Sequence, residues 1–528
     1  MRDWWKDAVF YQIYPRSFAD SNGDGIGDLA GIAGRLGYIE KLGIDALWIS
    51  PFFKSPMKDF GYDVSDYRDV DPMFGTLDDL KKLITAAKGR GIRIVLDLVA
   101  NHSSDEHPWF AEARSSKVAP KHGWYLWVPE TGKTPNNWKA IFELGTAWHR
   151  NPGTEERYLG TFTRHQPEFD WRNPEVRTAF CDIMEYWYEL GVDGFRLDVA
   201  TAYVKDARLR SNPFSTKINP DFFQKHLYDR NQVEVHEIFK QMRAVADAAG
   251  ARVLIGETHG LDTPLAASCH GSDGDELHMA FNFDFLRQPW RAEAFRRSAQ
   301  RWYAALPEGA WPNFTLSNHD QPRHAWRFRS GSLTEARARV AAAMLLTIRG
   351  TPFLYYGEEI GMTCVRIRRS SLRDPLGITT WPLRVLGRDP SRTPMQWNAG
   401  DNAGFSSGQP WLPVNPDHGS RNVAALEGDP SSILSWYKSL IALRRSKPAL
   451  REGSIDFLDL GADVLAYDRV AASGPRILVL LNFASGQRNV VLDRAAKVLL
   501  GSALPKGSIL GPGRIRLGPC EVVIAESS

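Results

Sequence analysis

At 528 residues, 43% hydrophobic, 24% charged and with a formal net charge of +3, the chain has an ordinary globular composition and the length for one large barrel plus attachments. So small a charge excess gives no reason to expect a nucleic-acid or membrane-surface partner, and no apolar run is long enough to cross a bilayer. The opening Met1-Arg2-Asp3-Trp4-Trp5 has no leader pattern, and Cys181, Cys269, Cys364 and Cys520 lie too far apart for metal-ligand spacing, so a reduced, cytoplasmic protein is expected.

Residues 9–14, Val-Phe-Tyr-Gln-Ile-Tyr, read as a first strand stopped by Pro15. Directly after it, Asp20, Asn22, Asp24 and Asp28 place oxygen ligands at alternate positions around glycines, with the Ile26 carbonyl as backbone ligand. This matches the first part of a calcium loop. The twelfth position is Gly31 rather than Glu, so no EF-hand is implied, and a solvated turn is the alternative reading. Apolar runs at 44–50 and 92–100 flank a helix predicted over 77–90 and ended by Gly91. The alternation resumes at 194–200, 252–257, 279–285, 312–317 and 352–357. Near-continuous apolar strands alternating with helices indicate a parallel sheet buried on both faces, and eight of them indicate a (β/α)8 barrel with its active residues at the strand C-terminal ends.

The stretch 101–171 lacks this rhythm and is rich in Trp, Pro and Gly, so it is expected to be an inserted subdomain. The barrel then comprises 1–100 and 172–446. From 447 to 528 the runs shorten and alternate, at 464–470, 476–483, 488–492 and 521–525, which predicts a C-terminal antiparallel β domain.

The strand ends carry Asp97, Arg196, Asp198, Glu257 and Asp320, with His102 and His319 in the loops. In Gly194-Phe-Arg-Leu-Asp198, Arg196 and Asp198 lie two apart and so share a face. A cation on its own face should lower the Asp198 pKa, as a nucleophile ionised at neutral pH requires. A structural ion pair is the alternative reading. A second carboxylate, Glu257, follows the apolar Val-Leu-Ile-Gly, so one group held ionised and one able to stay protonated are both available. Glycosidic cleavage needs that division.

These residues carry a resemblance. Asp97-Leu-Val-Ala-Asn-His102, Gly194-Phe-Arg-Leu-Asp198, Ile255-Gly-Glu257-Thr and Ser317-Asn-His-Asp320 stand in the order found in the α-amylase family, glycoside hydrolase family 13, and the whole chain most resembles its α-glucosidase and oligo-1,6-glucosidase branch. The resemblance implies Asp198 as nucleophile, Glu257 as general acid/base and Asp320 as transition-state stabiliser. His102, Arg196 and His319 would contact the reacting glucose, with Asp97 holding Arg196. Tyr62 resembles the stacking platform for that ring, Phe162 would cover its other side, and Gln166 belongs to the substrate-binding set. Asp59 and Arg392 resemble the pair that caps a non-reducing glucose and so restricts action to chain ends. The loop of Asp20, Asn22, Asp24, Ile26 and Asp28 resembles the branch's structural calcium site, with magnesium as the other ion considered. The implied substrates are short oligosaccharides, maltose, isomaltose or sucrose, cleaved by a monomer or homodimer, and glucosyl transfer is the alternative outcome. Linkage signals conflict. Val199 resembles α-1,6-acting relatives, whereas Arg373-Asp-Pro-Leu-Gly and Gly387-Arg-Asp-Pro resemble α-1,4-acting ones. The segments Gln166-Pro-Glu-Phe-Asp and Glu257-Thr-His-Gly depart from the branch on the acceptor side.

Overall fold

The computed structural model describes residues 3–216, 223–260, 262–382 and 387–527. Eight strands form a parallel sheet curled on itself: β1 (Phe10–Ile13), β2 (Ala46–Ile49), β3 (Arg93–Leu98), β4 (Gly194–Leu197), β5 (Val253–Gly256), β6 (Met279–Ala280), β7 (Asn313–Thr315) and β8 (Thr351–Tyr355). Paired neighbours run β6-β5-β4-β3-β2-β1-β8-β7, so β8 returns to β1, and among the described residues only the β6–β7 seam lacks a ladder. Phe10 stands opposite both Ala46 and Phe353. These residues fill the barrel interior with Trp48, Val95, Ile255, Met279 and Phe281. The alternate side chains, Tyr11, Leu47, Ile94 and Leu254, join the larger core beneath the outer helices. Burial on both faces is why the strands read as unbroken apolar runs.

The runs overshoot the strands because the residues at their ends are occupied otherwise. Strand β4 stops at Leu197, three residues short of its run, where Val199 turns into a left-handed conformation at φ 36°. Only Met279 and Ala280 of 279–285 are strand, since the Asn282 side chain caps a helix, Phe283–Leu286, by accepting from the Phe285 N–H. The helix at Leu77–Lys88 starts with a capping box of Thr76 and Asp79 and ends two residues before the expected boundary.

Between β3 and β4, Trp127–Pro129, Glu156–Leu159 and Trp148–Asn151 form a three-stranded antiparallel sheet. It has its own small core of Val128, Trp138, Ala147, Trp148 and Leu159. Bridges His102↔Glu168 and Tyr125↔Phe169 tie its two connections to the barrel together.

The C-terminal part comprises β9 (Ser454–Leu458), β10 (Val464–Val470), β11 (Arg476–Asn482), β12 (Arg488–Leu492), β13 (Ala496–Gly501), β14 (Ile509–Leu510), β15 (Gly513–Leu517) and β16 (Val522–Ser527). A six-stranded antiparallel sheet, β9-β10-β11-β16-β13-β14, packs with the β12–β15 pair around Val464, Ala466, Leu480, Val490, Leu517 and Val523. Two buried guanidiniums join this domain to the barrel. Arg469 donates to the carbonyls of Thr347, Leu450, Gly453 and Ser454, and Arg444 to those of Leu346, Gly350 and Leu450. Burial, with Arg444 alongside, lowers the Arg469 pKa to about 9. Arg469→Met is expected to leave these carbonyls unpaired and to destabilise the protein by about 2–3 kcal/mol. A thermal melt checks this, and an unchanged midpoint would show that the clamp contributes nothing.

Candidate active site

Leu197 of β4 pairs with Gly256 of β5, so Asp198 and Glu257 stand side by side one step beyond the ladder. Between them lies Arg196, 2% exposed, its Nη1 at 2.7 Å from both Asp97 Oδ1 and Asp198 Oδ1 and its Nη2 at 2.7 Å from Glu257 Oε2. The Trp48 ring backs the guanidinium at 5.2 Å. The turn at Val199 aims its N–H at Glu257 Oε2, 2.9 Å away, so the end of β4 and Glu257 are joined by backbone as well as by Arg196.

One cation among three buried carboxylates leaves net negative charge in a poorly solvated place. Burial pushes the Asp198 carboxyl well above the usual range despite Arg196, and Glu257 and Asp97 reinforce it. Asp97 is pushed up to about 6, again chiefly by burial and against the pull of Arg196. Arg196 pulls the Asp198 pKa down as expected, but the expected net lowering is overturned: desolvation and two acidic neighbours outweigh the single guanidinium.

Asp320 behaves in the opposite way. Burial raises its carboxyl, but His319, Arg392 and Arg388 outweigh burial and hold it well below the ordinary range. His319 is itself driven down to about 3 by burial, so above that pH the two guanidiniums carry the effect. Burial likewise lowers His102 to about 4. Both imidazoles are therefore neutral hydrogen-bonding groups at neutral pH. His319 is held by Gln12 Nε2 at 2.7 Å and by the Tyr62 hydroxyl at 2.5 Å, with the Tyr62 ring stacked on it at 5.5 Å. His102 contacts the Tyr62 carbonyl at 2.9 Å and Gln166 Nε2 at 3.1 Å, and Phe162 leans over it at 5.1 Å.

Asp59 and Arg392, the expected capping residues, do not pair with each other. Asp59 pairs with Arg388 at 2.7 Å, whereas Arg392 pairs with Asp320 at 2.7 Å and donates to the His319 carbonyl. Arg388 reaches Asp59 because two Arg-Asp-Pro triplets lock together. Asp374 accepts from the Arg388 N–H, Nε and Nη2, and Asp389 accepts from the N–H groups of Arg373 and Asp374. Phe142 of the inserted subdomain lies against the Arg388 guanidinium at 4.4 Å. Sequence reasoning singled out Gly387-Arg388-Asp-Pro but drew from it only a linkage signal. It also missed Lys205, whose ammonium meets Glu168 at 2.6 Å and Asn101 Oδ1 at 3.3 Å, both partners buried. The unusual Glu168 was the available signal.

All of the expected catalytic groups and Asp59, Tyr62, His102, Phe162, Gln166 and Arg388 line one cavity of about 840 Å³, while Arg196, His319 and Arg392 stand just behind its wall. Its outer end is bounded by Arg230, His259, Phe283, Arg287, Trp326, Arg366 and Trp381.

The oxygen-rich loop lies apart from this cavity. Gly23 and Gly25, at φ 84° and 89°, let it coil so that Asp20, Asn22 and Asp24 accept N–H bonds from residues two to five further on. Asp28 instead caps the helix Leu29–Gly34 and holds Ser21. The expected oxygen donors, Asp20, Asn22, Asp24, the Ile26 carbonyl and Asp28, thus all belong to one loop, with Asp28 also tied to the helix that follows. Among the described residues no three His, Cys, Asp or Glu side chains cluster as a metal site.

A parallel barrel whose C-terminal mouth joins a carboxylate on β4 to one on β5 defines a (β/α)8 enzyme built for glycosidic chemistry. The chain belongs to the α-amylase family, glycoside hydrolase family 13: the family model for the alpha-amylase catalytic domain matches residues 12–453. It is 44% identical over 501 residues to a probable alpha-glucosidase of Rhizobium meliloti (strain 1021), covering 92% of this chain and 90% of that one. It is 40% identical over 517 residues to the oligo-1,6-glucosidase of Parageobacillus thermoglucosidasius, covering 92% and 91%. The crystal structure of the alpha-glucosyl transfer enzyme XgtA superimposes with a TM-score of 0.94 at 39% identity over 100% of both chains.

Asp374 touches no cavity space yet holds Arg388 at three points, so Asp374→Asn should loosen the cap on a bound glucose. The expected result is a KM for an α-glucoside raised about tenfold or more with a smaller change in kcat. Steady-state kinetics check it, and an unchanged KM would remove Asp374 from this role.

Proposed function

We propose that this protein is a retaining, exo-acting α-glucosidase that releases α-glucose from the non-reducing end of short α-glucosides such as maltose, isomaltose and sucrose. The observation that carries the reading is the Arg196 bridge: one guanidinium holds Asp198 and Glu257 at adjacent strand ends, inside a pocket whose far end is blocked by Asp59 and Arg388. Glu257 gives its proton to the glycosidic oxygen as Asp198 attacks the anomeric carbon. The leaving alcohol departs, and Glu257 then takes a proton from the water that hydrolyses the glucosyl ester. Asp320, anionic, with neutral His102 and His319, fixes the ring hydroxyls. Tyr62 and Phe162 supply apolar faces.

Two displacements at one carbon restore its configuration, so the first-formed sugar should be α-glucose. A proton NMR time course on fresh enzyme and maltose reads the anomer before mutarotation, and initial β-glucose would overturn the covalent mechanism. Running the same assay on concentrated sucrose separates hydrolysis from glucosyl transfer. Transfer is a second reading, favoured by the likeness to a glucosyl-transfer enzyme and by the aromatic outer end of the cavity at Phe283, Trp326 and Trp381.

The loop of Asp20, Asn22, Asp24, Ile26 and Asp28 is read as a structural calcium site remote from the chemistry, with magnesium the weaker candidate because it demands stricter octahedral geometry. A chelator should then lower the melting temperature and added calcium restore it, since an ion bound only by the native loop stabilises the fold. No change in either melting or metal content would dismiss the ion. A cytoplasmic setting is read from the four cysteines, all free and three of them buried. A monomer or homodimer accounts for a site built from one chain.

A further inference from the structure

Charge is distributed unevenly along the cavity. Deep inside, every cation faces a carboxylate: Arg388 meets Asp59 and Asp374, Arg392 meets Asp320, Lys205 meets Glu168, and Arg196 meets three. Elsewhere in the lining stand Arg230, Arg287 and Arg366 with one further carboxylate, Asp229, which His226 engages at 2.6 Å and Arg230 approaches to 4.0 Å.

The segment Arg366-Ile-Arg368-Arg369-Ser-Ser-Leu-Arg373 contains four arginines and no acid. All four are exposed, and the ion pairs among the described residues include none of them. The segment is also fixed in place. Its start is held by the Val365 N–H on the Pro390 carbonyl at 3.2 Å, its end by the Arg373 N–H on Asp389 at 2.7 Å. Ile367 and Leu372 turn into the cavity wall, and Arg369 lies over the Trp381 ring at 5.9 Å. Arg366 lines the cavity itself, and Arg368, Arg369 and Arg373 follow it on the same anchored segment.

We propose that the aglycone side of this site selects anions: α-glucosides whose leaving group, or acceptors whose body, carries a carboxylate or a phosphate. The guanidinium fork matches both groups in geometry. The inference rests on the α-glucosidase reading and adds to it the chemistry of the partner that the glucose is attached to. Each exposed pair contributes little, but several act together, and a Debye length of ~8 Å at physiological salt lets neighbouring arginines be felt. The sum corresponds to roughly a three- to tenfold preference.

The test uses the full-length enzyme and two matched pairs: 4-carboxyphenyl against 4-carbamoylphenyl α-glucoside, and maltose phosphorylated on its reducing unit against maltose. For each pair the ratio of kcat/KM, anionic over neutral, is measured at low ionic strength and at ~0.5 M salt. The ratio is expected to fall about three- to tenfold as salt rises, and to lose that salt dependence in an Arg366→Gln/Arg369→Gln variant. A response in one pair only supports the proposal and assigns the anion. Ratios indifferent to both salt and substitution would overturn it while leaving the glucosidase reading intact. Failure of the native enzyme to cleave any of the four substrates would overturn both.

Discussion

A single guanidinium serving three carboxylates out of reach of bulk water is the constraint on which the rest of this molecule depends. Removing Arg196 would leave Asp97, Asp198 and Glu257 facing one another, and separating such charges from their only partner in a poorly solvated site costs several kcal/mol. The barrel meets the constraint with a rigid backbone. Each of these residues stands at a strand end whose register is fixed by neighbours, and Trp48 prevents the guanidinium from retreating. That excess negative charge, added to burial, is what raises the Asp198 carboxyl against the pull of Arg196.

The barrel was legible because parallel strands buried on both faces leave an apolar signature that no amphipathic pattern imitates. Strand ends were not, because Val199 and Asn282 end their strands through local conformation and capping rather than through any break in hydrophobicity. The carboxylates that meet at Arg196 were legible from their placement after those runs. Their protonation was misjudged for Asp198, since alternation along a strand reveals Arg196 on the same face but not Glu257 and Asp97 arriving from the strands on either side.

The partner of Asp59 shows the same limit. Asp59 and Arg388 are separated by 329 positions, and which of two nearby arginines reaches it depends on the interlocked Arg-Asp-Pro triplets, a loop geometry without periodicity. The oxygen-rich loop was legible as spacing, yet spacing alone did not reveal that Asp28 is committed to a helix cap.

Lys205 has a consequence that concerns motion rather than chemistry. It sits on the connection that follows the nucleophile, and its ammonium is shared by Glu168 and Asn101 at the two ends of the inserted subdomain and by the Ala202 carbonyl. Detaching the subdomain from the barrel would strand a buried ammonium and a buried carboxylate together, so partial opening at this seam is nearly as unfavourable as loss of the whole insert. Such a seam is expected to exchange its amide hydrogens together with the loop behind Asp198. One ammonium thus ties the inserted subdomain to the segment after Asp198, although 104 positions separate Lys205 from Asn101.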